Sequence, residues 1–348
     1  MAKLLDIPEG TDVIELRKKI SKMISDARNS AKPDSCILCG RKWTSFCNSH
    51  SVPQLSLKNI ADNGKLYLAS ALIGIEVVDV EKGVNNSGTF HFICNECDSK
   101  FFRDYENEQN LCSQPTDKML AEIAVKNILL QLSKHNQEAE LHRMLQKQFN
   151  AYANPEHLFG IKELDVRDYL EELAFHKDIV DNEKSGGYQI LFWVLLPYKV
   201  PIASQSAIAL SADMEGYILN NVFDMSANTR MQFMHLAILP LDGKSVVLAF
   251  YHKRDKLYKK LWHQFNSSSQ EKCLKYLNYL VFANTENYFI SKIIKSEIEN
   301  NEKLSLLSQE DNGHPGMGFL SPDNFFGMGY QPITESDIPN FLAKEWEI

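Results

Sequence analysis

The sequence lacks a long hydrophobic run, an internal repeat and a glycine-rich loop that would hold phosphate. Its longest apolar run, residues 190–198, is too short for a membrane-spanning helix, which needs roughly 18 residues. The chain begins Met-Ala-Lys-Leu-Leu-Asp, which is not the apolar core of a secretory signal. These absences predict a cytoplasmic protein with no membrane partner, and they give no basis for a P-loop nucleotide site.

Cysteine is scarce and its count is odd: the chain has seven, and four of them stand in two CxxC pairs. That usage fits a reducing compartment better than a disulfide scaffold. The first pair is Cys36 with Cys39 and the second is Cys94 with Cys97, with 54 residues between the pairs. Together they supply the four thiolates that a tetrahedral structural Zn²⁺ requires. The open alternative is two unrelated pairs of reduced, buried thiols.

The net charge of −8 is concentrated at the C-terminal end, because residues 296–348 hold ten acidic and two basic side chains. By contrast, residues 17–42 hold eight basic and two acidic side chains beside the first CxxC pair. Two interpretations of this basic stretch stay open. It is either a patch that contacts nucleic-acid phosphates or a solvated helix face.

The pattern of apolar and polar residues predicts an α+β protein in four segments. Residues 1–113 are predicted to form a zinc-stapled treble-clef module and residues 114–182 a helical connector. Residues 183–300 are predicted to form an antiparallel sheet with a long helix packed against it. Residues 301–348 form an acidic tail, in which the Gly-, Pro- and Phe-containing stretch 313–330 is predicted to be flexible or ordered by a partner.

Individual elements follow from periodicity and from capping and turn signals. Helices are predicted at 11–29, 53–63, 116–148, 162–180 and 270–298. Strands are predicted at 188–196, 207–210, 217–222, 231–241 and 245–251, with a strand or hairpin at 65–80. Asp242-Gly243 between two apolar runs indicates a hairpin.

One group of residues carries a resemblance to a known family. Ser49-His50, with Pro53 three residues further on, lies between the two CxxC pairs, and Asp98, Phe102 and Glu106 follow the last cysteine. This order resembles the HNH nucleases (His-Me finger, ββα-metal) that have a zinc-stapled core. The specific part of the resemblance covers about 70 residues.

The resemblance implies a metal-dependent nuclease that cleaves DNA or RNA, in a setting such as bacterial antiphage defence. His50 would be the base that deprotonates water, since a histidine has a suitable pKa near neutral pH. Asp98 and Glu106 would hold the catalytic Mg²⁺ or Mn²⁺, because hard oxygen donors suit these ions. The zinc at the four cysteines would be structural.

The sequence departs from the family pattern at three places, one of which is the lack of an orienting asparagine before Cys94. Ser49 stands where many members have an acidic ligand, and Phe101 and Phe102 stand where the final histidine is expected. His50 is therefore also open to a structural role beside the zinc, or to replacing one cysteine as a zinc ligand. Asp98 is also open to being a carboxylate that the helix dipole favours.

The alternative function is a non-catalytic, zinc-stabilised interaction protein, whose C-terminal domain or acidic tail binds a partner protein or a ligand. His235 and His252, in or at the end of predicted strands, are expected to be packing or surface residues. Glu286-Asn287 lies inside the predicted helix 270–298 and is expected to hold that helix against the sheet.

Overall fold

The computed structural model describes residues 10–42, 45–73, 79–150, 155–221, 226, 229–309 and 333–348. Within these ranges the chain is a mixed α+β protein, as predicted, and its sheets are antiparallel. Its helices are α1 Val13–Ser30, α2 Gln54–Ile60, α3 Ser70–Ile73, α4 Asn95–Phe101, α5 Glu108–Leu111, α6 Asp117–Phe149, α7 Pro155–Asp181, α8 Lys259–Ser267, α9 Gln270–Asn284, α10 Lys295–Asn300 and α11 Glu302–Gln309. Its strands are β1 Ser49–His50, β2 Lys65–Leu68, β3 Glu81–Gly83, β4 Thr89–Phe90, β5 Tyr188–Leu196, β6 Ile202–Ile208, β7 Met234–Leu241, β8 Lys244–His252 and β9 Tyr288–Ile290. None of the described helices is long and apolar enough to cross a membrane.

A seven-stranded antiparallel sheet, in the order β3-β2-β9-β6-β7-β8-β5, forms the centre of the molecule. Its middle strands β6 and β7 are buried along their whole length, because both faces of the sheet are covered. One face packs on α6, where Ala237 and Leu248 meet residues such as Ile128 in a single apolar cluster. The other face packs on α8 and α9, where Ile238 meets residues such as Leu277. The predicted hairpin is present, with β7 and β8 joined at Asp242-Gly243.

The sheet includes strands from both ends of the chain. Strands β2 and β3 come from the predicted zinc module, and β2 pairs with β9 through Tyr67 with Ile290 and Leu68 with Phe289. Strand β9 in turn pairs with β6. The predicted boundaries at residues 113, 182 and 300 stay predictions, but one sheet joins the first segment to the third.

Three sequence predictions are wrong in detail. In the stretch 65–80, β2 ends at Leu68 and is followed by α3, where Ser305 Oγ donates to the buried Leu72 carbonyl oxygen at 2.7 Å. The predicted strand 217–222 is reduced to one isolated bridge, Ala212 with Ile218, and residue 222 lies outside the described residues. The predicted helix 270–298 ends at Asn284, because Thr285 is extended and the next residues form β9. For α3 and for the end of α9, contacts distant in sequence prevail over local propensity.

The last sixteen residues of the chain are docked on its own body. Phe341 and Leu342 are fully buried among α9 and its neighbours. Asn278 on α9 holds this segment from both sides: its Nδ2 donates to the Pro339 oxygen at 2.9 Å, and its Oδ1 accepts from Phe341 N at 3.1 Å. The predicted flexible stretch 313–330 lies outside the described residues. Residues 338–342 of the acidic segment therefore pack against the body of the same chain.

Replacing Phe341 with alanine is expected to lower the free energy of unfolding by about 3–5 kcal/mol, since a fully buried aromatic ring is lost and a cavity remains. Urea denaturation of the wild type and the variant measures this difference. Glu345→Ala, at an exposed position four residues further on, is the control and is expected to change little. An unchanged midpoint for Phe341→Ala would show that the segment does not stay docked in solution.

Candidate functional site

The four cysteines of the two CxxC pairs come together at one point. The sulfur atoms of Cys36, Cys39, Cys94 and Cys97 all lie within 4.8 Å of one another. The Cys39 and Cys94 sulfurs are 4.0 Å apart, close to the separation of about 3.8 Å that tetrahedral Zn–S bonds of about 2.3 Å require. Among the described residues this is the one group of three or more Cys, His, Asp or Glu side chains that converges in this way. The donor set fits a structural zinc ion, as the sequence predicted.

Local backbone geometry explains why each pair can supply two ligands. Gly40 has φ of +71°, and its N–H donates to the Cys36 oxygen at 2.7 Å, which closes the first turn. Cys94 caps the N-terminus of α4, and its sulfur accepts from Cys97 N at 3.5 Å. The Cys94 N–H donates to the Cys36 sulfur at 3.4 Å, so a backbone N–H joins the two turns.

The electrostatics of the cluster are uneven. The Arg41 guanidinium, with its Nε 3.5 Å from the Cys39 sulfur, lowers the pKa of that exposed thiol to about 6. Burial raises the pKa of the Cys36 and Cys97 thiols. A buried thiol ionises readily only when a cation binds it. A bound metal would therefore stabilise the thiolate forms of Cys36 and Cys97.

The purified chain is expected to contain one zinc ion, and removal of a ligand is expected to unfold the residues around it, because the cluster closes a loop of more than 50 residues. Elemental analysis and thermal unfolding measure this for the wild type and for Cys94→Ser. Cys112→Ser is the matched control, because Cys112 lies outside the cluster. Wild-type protein prepared without chelator that contains no zinc would contradict the assignment.

His50 lies at the end of β1, which pairs with β4 through Ser49 with Phe90 and His50 with Thr89. The imidazole Nε2 is 3.1 Å from the Val84 carbonyl oxygen, so this nitrogen carries the proton and donates it. The other ring nitrogen, Nδ1, has no hydrogen-bond partner among the described residues, and solvent can reach it. Burial of the ring lowers the pKa of His50, so the ring is neutral at pH 7. A neutral imidazole with an open Nδ1 is a competent base.

Asp98 and Glu106, the predicted ligands of a catalytic metal, meet at a lysine that sequence analysis did not single out. Lys126 Nζ lies 2.7 Å from Glu106 Oε1 and 3.4 Å from Asp98 Oδ1. Asp98 Oδ1 also accepts from Ser49 Oγ at 2.5 Å, and Asp98 Oδ2 accepts from the Cys47 thiol at 3.3 Å. The charges of Lys126, Asp98 and Glu106 all act on the pKa of His50. The structure therefore brings the three predicted site residues together around a fourth.

In this arrangement the carboxylate pair does not fit a divalent ion. The position between Asp98 and Glu106 is taken by an ammonium group, and protein donors engage both oxygens of Asp98. No third acid, histidine or cysteine converges on these two within the described residues.

No family model, curated protein or solved structure matches the chain. The chemical groups of the site are an oriented imidazole, two carboxylates and a buried cation.

A second polar chain ties the segment that follows β1 to the central sheet. Ser51 Oγ donates to Asn287 Oδ1 at 2.8 Å, and Asn287 Nδ2 donates to the Gln205 oxygen on β6 at 2.6 Å. Asn287 was expected to hold a helix against the sheet; it lies instead between α9 and β9 and holds the candidate site against the sheet. Glu286 is exposed, and its carboxylate pairs with Lys134 at 3.3 Å.

A larger polar cluster lies between α7 and the sheet. Glu172 is fully buried; its Oε1 accepts from Arg230 Nη1 at 2.5 Å and also from Arg254. Its Oε2 is 3.2 Å from Nε2 of the buried His176, whose Nδ1 is 2.7 Å from the Tyr188 hydroxyl. His235 and His252 pack against His176 with ring centroids 5.3 and 6.2 Å away, so they are packing residues, as expected. Asn127 on α6 bonds His235, and Asp255 pairs with Arg230.

This cluster is expected to make stability depend on pH. Burial, with Arg254 and Arg230 nearby, lowers the pKa of His176 to about 3. The pKa of a histidine in the unfolded chain is about 6.5. The unfolded chain therefore binds a proton at this histidine that the folded chain does not bind. The free energy of unfolding decreases as pH falls below about 6.5. From pH 7.5 to pH 5 His176 alone should account for about 2 kcal/mol. Asp255, whose pKa burial raises to about 6, acts in the opposite direction.

Comparison of the wild type with His176→Gln isolates this contribution. The stability difference between the two proteins, measured by urea denaturation, should shrink from pH 7.5 to pH 5. His263→Gln, at an exposed histidine on α8, should leave the pH dependence unchanged. A difference that does not vary with pH would show that His176 is not held neutral in the fold.

Proposed function

We propose that the chain is a divergent HNH-like nuclease that cleaves DNA or RNA phosphodiesters, with His50 as its general base. The observation that carries this proposal is the orientation of the His50 ring. Its Nε2–H is held by the Val84 carbonyl, while Nδ1 remains open and the ring remains neutral at pH 7. The open Nδ1 is the feature that a general base requires.

The surroundings of His50 support the same proposal. β1 and β4 form a two-stranded antiparallel pair. Helix α4, which is capped by Cys94, follows β4 in the chain. Two strands, a helix and a four-cysteine cluster in this order are what a zinc-stapled ββα or treble-clef module would contain. Asp98 on α4 accepts a hydrogen bond from Ser49 on β1, so the helix and this strand meet at the proposed site.

The basic helix α1 gives the proposed substrate a surface to contact. Arg28 Nη2 donates to the Thr89 oxygen at 2.6 Å and so attaches α1 to the strand that pairs with His50. Lys18, Lys22 and Lys32 are exposed on α1 or just after it. Exposed lysines on a helix that is attached to this strand suit the phosphate backbone of a nucleic acid. In this proposal His50 removes the proton of the attacking water, and α1 holds the backbone.

His50→Ala is expected to lower the rate of cleavage at least about 100-fold while leaving nucleic-acid binding unchanged, because general-base catalysis contributes roughly 10²–10⁴-fold. Single- and double-stranded DNA and RNA are the substrates, each assayed with Mg²⁺ and with Mn²⁺, and binding is measured by fluorescence anisotropy. His263→Ala is the matched control at an exposed histidine. Cleavage by His50→Ala at the wild-type rate would make His50 structural and remove the assignment.

The second candidate function is the non-catalytic, zinc-stabilised interaction protein. It is favoured by one observation: Lys126 neutralises the carboxylates that a catalytic metal would need. The same assays separate the two candidates, since this second function requires binding of nucleic acid or of a protein partner with no cleavage by the wild type under any metal condition.

A further inference from the structure

Lys126 is an unusual side chain for its position. It lies in the first third of α6, within the stretch 119–130 in which every residue is buried, and its side chain is 1 % exposed. A charged lysine is almost never fully buried unless it is paired. Here the ammonium has two carboxylates and lies 3.9 Å from the centre of the Phe102 ring, so three groups converge on it.

The two carboxylates face outward while the lysine faces inward. The side chains of Asp98 and Glu106 are 23 % and 33 % exposed, so solvent reaches the acids but not the ammonium. The group of three carries a net charge of −1. It therefore repels a phosphate unless a further cation is present, and it attracts a metal ion less than the two carboxylates would alone.

The helix segment that carries Lys126 is fixed by two neighbouring polar side chains. The next residue, Asn127, bonds His235 of β7, and Glu122 one turn earlier accepts from Tyr105 N at 2.9 Å. These bonds fix the position of the helix, and the Lys126 side chain itself is buried. A divalent ion coordinated by Asp98 and Glu106 would share this small volume with a fixed positive charge.

We infer that Lys126 is the resident cation of this site and occupies the space between Asp98 and Glu106 that a divalent ion bound by both carboxylates would need. Asp98 and Glu106 bind a divalent ion tightly only when the Lys126 charge is removed or displaced. The free wild-type chain is thus held in a form that binds a divalent ion weakly at these two carboxylates, and metal-dependent cleavage by the wild type requires displacement of Lys126. The inference about Lys126 rests on the proposed function only because that function names Asp98 and Glu106 as the metal ligands.

Mn²⁺ binding to zinc-saturated protein tests the inference in the absence of nucleic acid, by isothermal titration calorimetry and by the electron paramagnetic resonance of free Mn²⁺. Lys126→Met keeps the length and the apolar stem of the side chain but removes its charge. We expect it to bind one Mn²⁺ at least tenfold more tightly than the wild type. The double variant Lys126→Met with Glu106→Gln should lose this gain.

Lys118→Met is the matched control. Lys118 lies on the same helix and pairs with Asp104 at 2.8 Å, away from Asp98 and Glu106. It should leave Mn²⁺ affinity at the wild-type value. If Lys126→Met folds, by circular dichroism and thermal unfolding, and binds Mn²⁺ no more tightly than the wild type, the inference is overturned.

A second measurement does not depend on the Lys126 variant. Tight Mn²⁺ binding by the wild type that Glu106→Gln abolishes would also overturn the inference, since it would show that the lysine does not block the site. Failure of the proposed nuclease is a separate outcome: it appears as a lack of cleavage by every variant and leaves the Mn²⁺ affinities unaffected.

Discussion

The four-cysteine cluster is the constraint on which the N-terminal half of the structure depends. It fixes two turns that are 54 residues apart in sequence, and β1, α2, β2, α3, β3 and β4 all lie within the loop it closes. Strands of two to four residues do not stand alone in water, so these elements need an external tie. The cluster supplies that tie at one end of the loop, and pairing of β2 with β9 supplies it at the other.

Helix α6 connects this module with the rest of the protein. Its first half is buried all round, which gives apolar contact with both the module and the sheet. Three polar side chains on the same stretch then set the alignment: Glu122 bonds the Tyr105 backbone, Lys126 meets Asp98 and Glu106, and Asn127 bonds His235. Apolar burial provides most of the free energy. The polar contacts specify one arrangement, because leaving any of these groups without its partner would be costly.

Sequence patterns predicted what is local. The two CxxC pairs indicated the cysteine cluster, the helical period gave α1 and α6 to within about two residues, and Asp242-Gly243 marked the central hairpin. They did not predict Lys126 as the partner of Asp98 and Glu106, although a lysine and an asparagine amid the apolar residues 119–130 were a visible signal. They also placed Asn287 inside a helix. Its actual partners, Ser51 and Gln205, lie 236 and 82 residues away, and no local pattern encodes such a contact.

The proposed zinc centre consists of sulfur ligands alone, so His50 stays available for its proposed role as a base and Asp98 stays paired with Lys126. X-ray absorption at the zinc edge of the purified, full-length chain tests this directly, because it counts ligands by element and distance. The account predicts four sulfur neighbours at about 2.3 Å and no nitrogen or oxygen in the inner shell. A nitrogen or oxygen ligand at about 2.0–2.1 Å would contradict it, since His50 or Asp98 would then belong to the zinc centre instead of the site beside it.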